Sequence, residues 1–306
     1  MARNKIAAMT TKILLFVACF FLASNAFTLP ALGCSNQLCN NEEAGSTTLY
    51  AKKKKFSINE DAGKMGDVVI KQGVTQYEEP NKKKVPNAGM ALYVKAGPDG
   101  KSLGDCPFAH YVQMCLQHKG LQYDLRPSIQ ETKPTWLVEN YEGKMPCLVD
   151  KGEAYTESGV IADYIEFFYP EPPLTSEDDS HKAAMEETSS IFPALAKYIK
   201  NLDPAADPEL QENLFEALRG LNKRLEESGK PYLCGDQVSL ADFSLAPKLY
   251  HMQVCLKEFK SVELDDKDFS SLNTYMNNLF ELGAFKRSSY PSDVIVWGWN
   301  NARGTT

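Results

Sequence analysis

Several things are scarce in this chain. It has four histidines in 306 residues and no Cys-x-x-Cys pair, so the usual ligand spacings of a structural zinc site are missing. It has no basic excess: Lys and Arg number 33 against 40 Asp and Glu, for a net charge of -7. An acidic protein is a poor nucleic-acid partner unless its charge is segregated, and the longest basic run, residues 52–55, falls outside the part read as folded. No apolar run reaches the ~20 residues of a spanning helix. The longest, residues 13–23, is about half of that, so stable membrane insertion of the mature chain is not expected. No internal repeat is visible. The eight cysteines do not form a disulfide framework. Cys19, Cys34 and Cys39 lie near the N-terminus. Cys106, Cys115, Cys147, Cys234 and Cys255 are scattered, odd in number, and sit in a chain large enough to need no staples.

What is present begins with a presequence. Arg3, Lys5 and Lys12 precede the apolar run, and Ser24 and Ala26 supply the small residues of a cut after Ala26, so residues 1–26 read as a signal peptide. A short membrane anchor is the alternative. "ASNAFTLP" resembles the Ala-Phe cleavage motif of bipartite plastid presequences in algae with secondary plastids, with Phe27 first after the cut. Residues 27–87 then read as a transit-like segment and polar linker, although Glu42 and Glu43 are atypical of transit peptides. The expected location is a plastid, with secretion or the endomembrane system as the alternative.

Hydrophobic residues make up 43% of the chain, enough for two domains. Residues 88–172 alternate element types: a strand in "MALYVKAG", a helix opened by Pro107 and ending near Gly120, a strand in "LQYDLRPSI", two strands in "CLVD" and "EAYTE", and a helix opened by Ser158. Phe108, Val112, Cys115 and Leu116 are expected on one apolar face of the first helix. The order β-α-β then β-β-α is that of a thioredoxin-like domain. Residues 173–306 read as all-helical, with long amphipathic helices in "SHKAAMEETSSIFPALAKYIKNL", "DPELQENLFEALRGLNKRLEES" and "SLADFSLAPKLYHMQVCLKEF". Ser239 and Asp242 form a capping box for the last of these, and Pro247 is expected to kink it.

Three places carry chemistry. Cys106 falls at the N-cap of the first helix, where free N–H groups and the helix dipole stabilise a thiolate. Its pKa is therefore expected below the free value of about 8.5. Ala109 stands where a dithiol motif has its second cysteine, and Cys115 is about 13 Å along the axis at 1.5 Å per residue, so Cys106 needs an external thiol. Cys115 and Cys147 read as structural. Met145-Pro146 lies where thioredoxin-like folds place a cis-proline; cis and trans both remain open. Glu157-Ser158 opens a helix: Ser158 is a plain N-cap on one reading, and on the other the pair holds the carboxylate and ammonium of a γ-glutamyl group.

Together "YVKAG", "LGDCPF", "KPTW", "GKMPCLV", "YPEPPL", "SLAPKLYH" and a closing "GW" resemble, over roughly residues 90–300, the plant-type dehydroascorbate reductases of the glutathione transferase superfamily. The resemblance implies a glutathione transferase fold and glutathione-dependent reduction of dehydroascorbate, with Cys106 as nucleophile. It places Lys95, Asp105 and, near the C-terminus, Arg303 on the ascorbate side. The glutathione contacts it implies are Lys95, Lys133, Met145, Glu157, Ser158, His251 and Trp299. It implies glutathione as co-substrate, no bound cofactor, no metal and a monomer. The chain departs from the family in "CPFAHYV" for "CPFSQRV", which changes the polar face of the helix at Ala109, His110 and Tyr111. It departs again at Ala302, where the family has lysine and Arg303 is next in line. An omega-class-like transferase and a non-enzymatic chloride-channel-like relative share "CPF" and are the alternatives.

Overall fold

A computed structural model describes residues 84–305 apart from Ala88 and Glu177. The signal peptide, the cut before Phe27 and the transit-like segment lie outside the described residues. The sheet has four strands, β1 (Ala91–Lys95), β2 (Asp124–Ser128), β3 (Cys147–Asp150) and β4 (Glu153–Thr156), in the order β2-β1-β3-β4. β1 and β2 are parallel, and β1–β3 and β3–β4 are antiparallel. A parallel pair needs a crossover, supplied by helix α1 (Pro107–His118). β2 carries Pro127, which it tolerates as an edge strand.

Both faces of the sheet are covered. Leu92, Val94 and Leu148 face α1 and helix α3 (Ser158–Phe168) in the main core. Cys147 and Val149 face Trp136 and Leu137 of a short helix, α2 (Thr135–Tyr141). That helix was not expected from the sequence. Its two turns are too short to show a 3.6-residue period, and only tertiary packing supports it.

The remaining elements are helical: α4 (Ser180–Glu187), α5 (Ile191–Lys200), α6 (Asp207–Ser228), α7 (Leu240–Lys260), α8 (Asp266–Glu281), α9 (Gly283–Ser288) and α10 (Ser292–Arg303). The single helix expected over "SHKAAMEETSSIFPALAKYIKNL" is two. Thr188 ends the first by turning its hydroxyl back onto the Ala184 carbonyl, 2.8 Å away. α7 runs as one helix through Pro247, with Ser239 and Asp242 forming the capping box at its start. The buried Asp242 carboxylate also accepts from the Leu233 N–H and the Tyr275 hydroxyl, at 2.9 and 2.8 Å, so it ties α8 to the cap.

α1 packs against α3, α7 and α9, and this central position has two consequences. The apolar-face expectation for α1 is corrected: every residue from Ala109 to Leu116 is buried, while Phe108 is 42% exposed and meets Phe192 edge-on at 5.9 Å. His110 and Tyr111, expected on a polar face, are buried as well. At the far end of α1, Lys119 is fully buried, 2.7 Å from Glu166 of α3, and donates to the Pro172 carbonyl at 2.8 Å. That staple fixes the "YPEPPL" linker to the helix. Among the described residues no helix is long and apolar enough to cross a membrane.

Candidate active site

The site starts at a turn only glycine allows. After β1 the chain makes a loop pinned by Asp99, whose carboxylate accepts from the Lys101 and Ser102 N–H groups and is held at about 2 by those bonds. The loop then returns along β1, and the Gly104 N–H donates to the Lys95 carbonyl at 2.9 Å. A Cβ at Gly104 would lie 2.6 Å from the carbonyl oxygens of Lys95 and Ala96, which are backbone and cannot give way. This close return sets Asp105 beside Lys95, with Nζ and Oδ1 2.7 Å apart, and delivers Cys106 to the start of α1.

Cys106 is the N-cap of α1, in extended conformation, with Pro107 following. The N–H groups of Phe108 and Ala109 face the sulfur and lower its pKa, although neither closes a capping hydrogen bond. Burial acts the other way and is the larger effect; Asp105 adds to it and Lys95 opposes it. The net result corrects the sequence expectation. The half-buried Cys106 thiol is pushed up, because desolvating the thiolate outweighs the helix N-terminus. Cys115, Cys147 and Cys255 are buried and raised by desolvation, Cys147 to about 12. None of the three sits at a helix N-terminus.

The strand register collects further residues at the same end of the sheet. Tyr93 pairs with Cys147, and Cys147 with Thr156. Met145 and Glu157-Ser158 therefore lie just beyond the last pairs, at the end of the sheet where Lys95, paired with Ser128, closes β1 and which carries Cys106. Met145-Pro146 is cis. The cap of α3 differs from expectation: Glu157 is the N-cap, at φ 70°, and Ser158 is the first helical residue. Only five non-glycine described residues have positive φ, and such backbone is held by its surroundings, often at ligand sites. The Glu157 side chain is exposed, 3.9 Å from Lys144. Lys133, on the turn after β2, donates to Gln130 at 3.0 Å.

Three sequence candidates sit elsewhere. His251 and Trp299 are 1% and 6% exposed and face each other, with the indole N–H donating to His251 Nδ1 at 3.0 Å. His251 Nε2 lies 2.8 Å from the Tyr290 hydroxyl, which donates to the Asp105 carbonyl at 3.2 Å. Both are engaged with each other and with Tyr290 behind the site. Arg303 donates to the Ile199 carbonyl and lies 4.7 Å over the Phe259 ring. Phe259 is two turns along α7 from His251, and the Arg303 head group is engaged there rather than with the Lys95–Asp105 pair.

Sequence reasoning missed Tyr290, Trp297 and Gly298. Trp297 covers the Lys95 ammonium at 5.1 Å from its ring. A Cβ on Gly298 would overlap the Asp105 carboxylate. The one available signal was a glycine between two tryptophans inside a helical stretch, a place where glycine is costly.

The arrangement suits nucleophilic thiol chemistry: a cysteine at a helix start, a cation for developing negative charge, and a carboxylate held beside both. Family models describing the N-terminal and C-terminal domains of glutathione S-transferase match residues 102–173 and 183–278. The chain is 32% identical over 198 residues to the chloroplastic glutathione S-transferase DHAR3 of Arabidopsis thaliana, covering 64% of this chain and 74% of that protein. It is 32% identical to the probable cytosolic glutathione S-transferase DHAR1 of Oryza sativa subsp. japonica, covering 69% of this chain and 97% of that one. The crystal structure of Chlamydomonas reinhardtii dehydroascorbate reductase superposes with a TM-score of 0.62 at 31% identity, covering 71% of this chain and 99% of that one.

Proposed function

Because the chain belongs to the glutathione S-transferase superfamily and resembles its plant-type dehydroascorbate reductases, we propose that it reduces dehydroascorbate to ascorbate at the expense of two glutathiones. The observation that carries this reading is the Lys95–Asp105 pair at 2.7 Å beside Cys106. A transferase that only activates a thiol has no use for a carboxylate that opposes thiolate formation. A reductase has a use for it in binding substrate hydroxyls.

The proposed reaction balances as follows. The Cys106 thiolate attacks hydrated dehydroascorbate at a hydroxyl oxygen of the gem-diol; the C–O bond breaks and its electron pair stays on carbon. Ascorbate leaves as the monoanion and Cys106 is left as sulfenic acid. Lys95 meets the charge that builds on the enediolate oxygen. A first glutathione condenses with the sulfenic acid, releasing water and forming a mixed disulfide. The thiolate of a second attacks the glutathione sulfur, freeing Cys106 and leaving as glutathione disulfide. With no second cysteine at position 109, the external thiol is obligatory and the kinetics are ping-pong.

Glutathione is placed at the Met145 and Glu157-Ser158 edge with Lys133, where free backbone and a helix start are available. We propose a monomeric working unit, on the family resemblance alone. For location we propose a plastid, on the presequence alone. The decisive assay is glutathione-dependent formation of ascorbate from dehydroascorbate, followed by ascorbate absorbance. Conjugation of a small electrophile without ascorbate formation would favour an omega-class-like transferase instead.

A further inference from the structure

We propose that Asp105 is held from behind by the C-terminal part of the chain: the Tyr290 hydroxyl donates to its carbonyl, and Gly298 leaves the space its carboxylate fills. Tyr290 and Gly298 are thus positioning residues for the Lys95–Asp105–Cys106 cluster. The substrate side of this inference rests on the reductase reading; the placement of Asp105 does not.

Gly298 lies inside α10, where alanine would be the better helix former. The reason for glycine is steric. A Cβ at this position would run into the Asp105 carboxylate, which is 13% exposed and wedged between the Lys95 ammonium and the helix backbone. Gly220, inside α6, provides the contrast: a Cβ there meets nothing within 4 Å. The residues beside Gly298 serve the same cluster, Trp297 over Lys95 and Trp299 on His251.

The hydrogen bonds behind Asp105 have a fixed direction. An indole N–H only donates, so His251 Nδ1 accepts and Nε2 carries the ring proton. Nε2 then donates to the Tyr290 oxygen, which leaves the Tyr290 proton for the Asp105 carbonyl. The same carbonyl opens the peptide that leads to Cys106, so the chain from Trp299 to Tyr290 sets the plane from which the nucleophile projects. Tyr290 itself is anchored, its carbonyl accepting from the Tyr250 hydroxyl at 3.1 Å.

The test is a double-mutant cycle on the full chain, with Gly298→Ala made in the wild type and in Asp105→Ala, and Gly220→Ala as control. Three quantities are read: the pH midpoint of Cys106 alkylation by iodoacetamide, the KM values for dehydroascorbate and glutathione, and the Tm. In the wild type, Gly298→Ala is expected to displace Asp105, moving the alkylation midpoint down toward that of Asp105→Ala. It should raise the KM for dehydroascorbate by about tenfold, with that for glutathione little changed. In Asp105→Ala the same substitution should leave both quantities unmoved and raise the Tm, because only helix propensity remains. Gly220→Ala should move neither the midpoint nor the KM values. Tyr290→Phe acts through the backbone, so it should slow Cys106 alkylation in both backgrounds. An unshifted alkylation midpoint in Gly298→Ala, or an equal effect with and without Asp105, would overturn the proposal. If the protein makes no ascorbate at all, the reductase reading fails, while the alkylation and Tm cycle still decides the placement.

Discussion

Lys95 Nζ lies 2.7 Å from Asp105 Oδ1, and the two act on Cys106 with opposite sign: the carboxylate raises its pKa and the ammonium lowers it. Asp105→Asn should therefore shift Cys106 alkylation to lower pH, and Lys95→Met should shift it to higher pH. Both should still raise the KM for dehydroascorbate or lower kcat by roughly tenfold, if each supplies at least about 1.4 kcal/mol to the transition state. The combination matters. A variant with a more acidic thiol but a poorer reductase would separate substrate binding from thiol activation.

Cys106→Ser should abolish ascorbate formation and leave the circular dichroism and melting curve unchanged, while Cys115→Ser should retain most activity. In the ligand-free protein the alkylation rate of Cys106 should keep rising with pH beyond the ordinary cysteine range, because burial pushes the thiol up. A midpoint well below that range would mean that the helix N-terminus outweighs desolvation after all.

Two buried histidines make stability depend on pH. His110 is fully buried among Phe285 and Tyr290, and burial pushes it down to about 3 against a smaller upward pull from the Phe285 backbone. His251 is likewise pushed down to about 3, chiefly by burial and then by the proximity of His110. Both take up a proton near pH 6.5 when unfolded. Their stabilising contribution is complete above about 6.5 and is lost as pH falls from there toward 3, at up to about 1.4 kcal/mol per pH unit for each ring. Denaturant titrations at pH 7 and pH 5 should show that loss, and His110→Leu should remove about half of it. An unchanged pH slope in His110→Leu would show that this ring titrates normally.

Residues 1–56 fused to a fluorescent protein should enter the plastid of an alga with a secondary plastid, and Phe27→Ala should divert the fusion to the endomembrane system. Equal plastid import of both fusions would remove the basis for that location.

Local features were legible in the sequence, and distant ones were not. Cys106-Pro107 and Ser239 with Asp242 announce helix starts within three residues, and both caps are where expected. The four strands follow from short β-rich runs between turns. The thiol's pKa is not legible in the sequence because the helix N-terminus is local to Cys106, whereas the burial that outweighs it depends on tertiary packing. Phe108 was misplaced for the same reason: α1 is enclosed on several sides, so its burial has no single face. His251 and Trp299 were found by resemblance, but their pairing depends on two helices meeting. Tyr290 had no signal of its own, and Gly298 only the oddity of a glycine between two tryptophans, since each is defined by Asp105 far upstream.

Tyr290 and Asp105 are 185 residues apart, and that distance has a meaning in time. At ribosomal rates of about 5–20 residues per second, roughly 10–40 s separate the synthesis of the nucleophile from that of the parts that seat it. During that interval the strand, the Gly104 turn and the start of α1 exist without Tyr290, Trp297 or Gly298. The thiol is thus made early and seated late, and a chain interrupted before residue 290 carries its cysteine without the groups that hold Asp105 beside it.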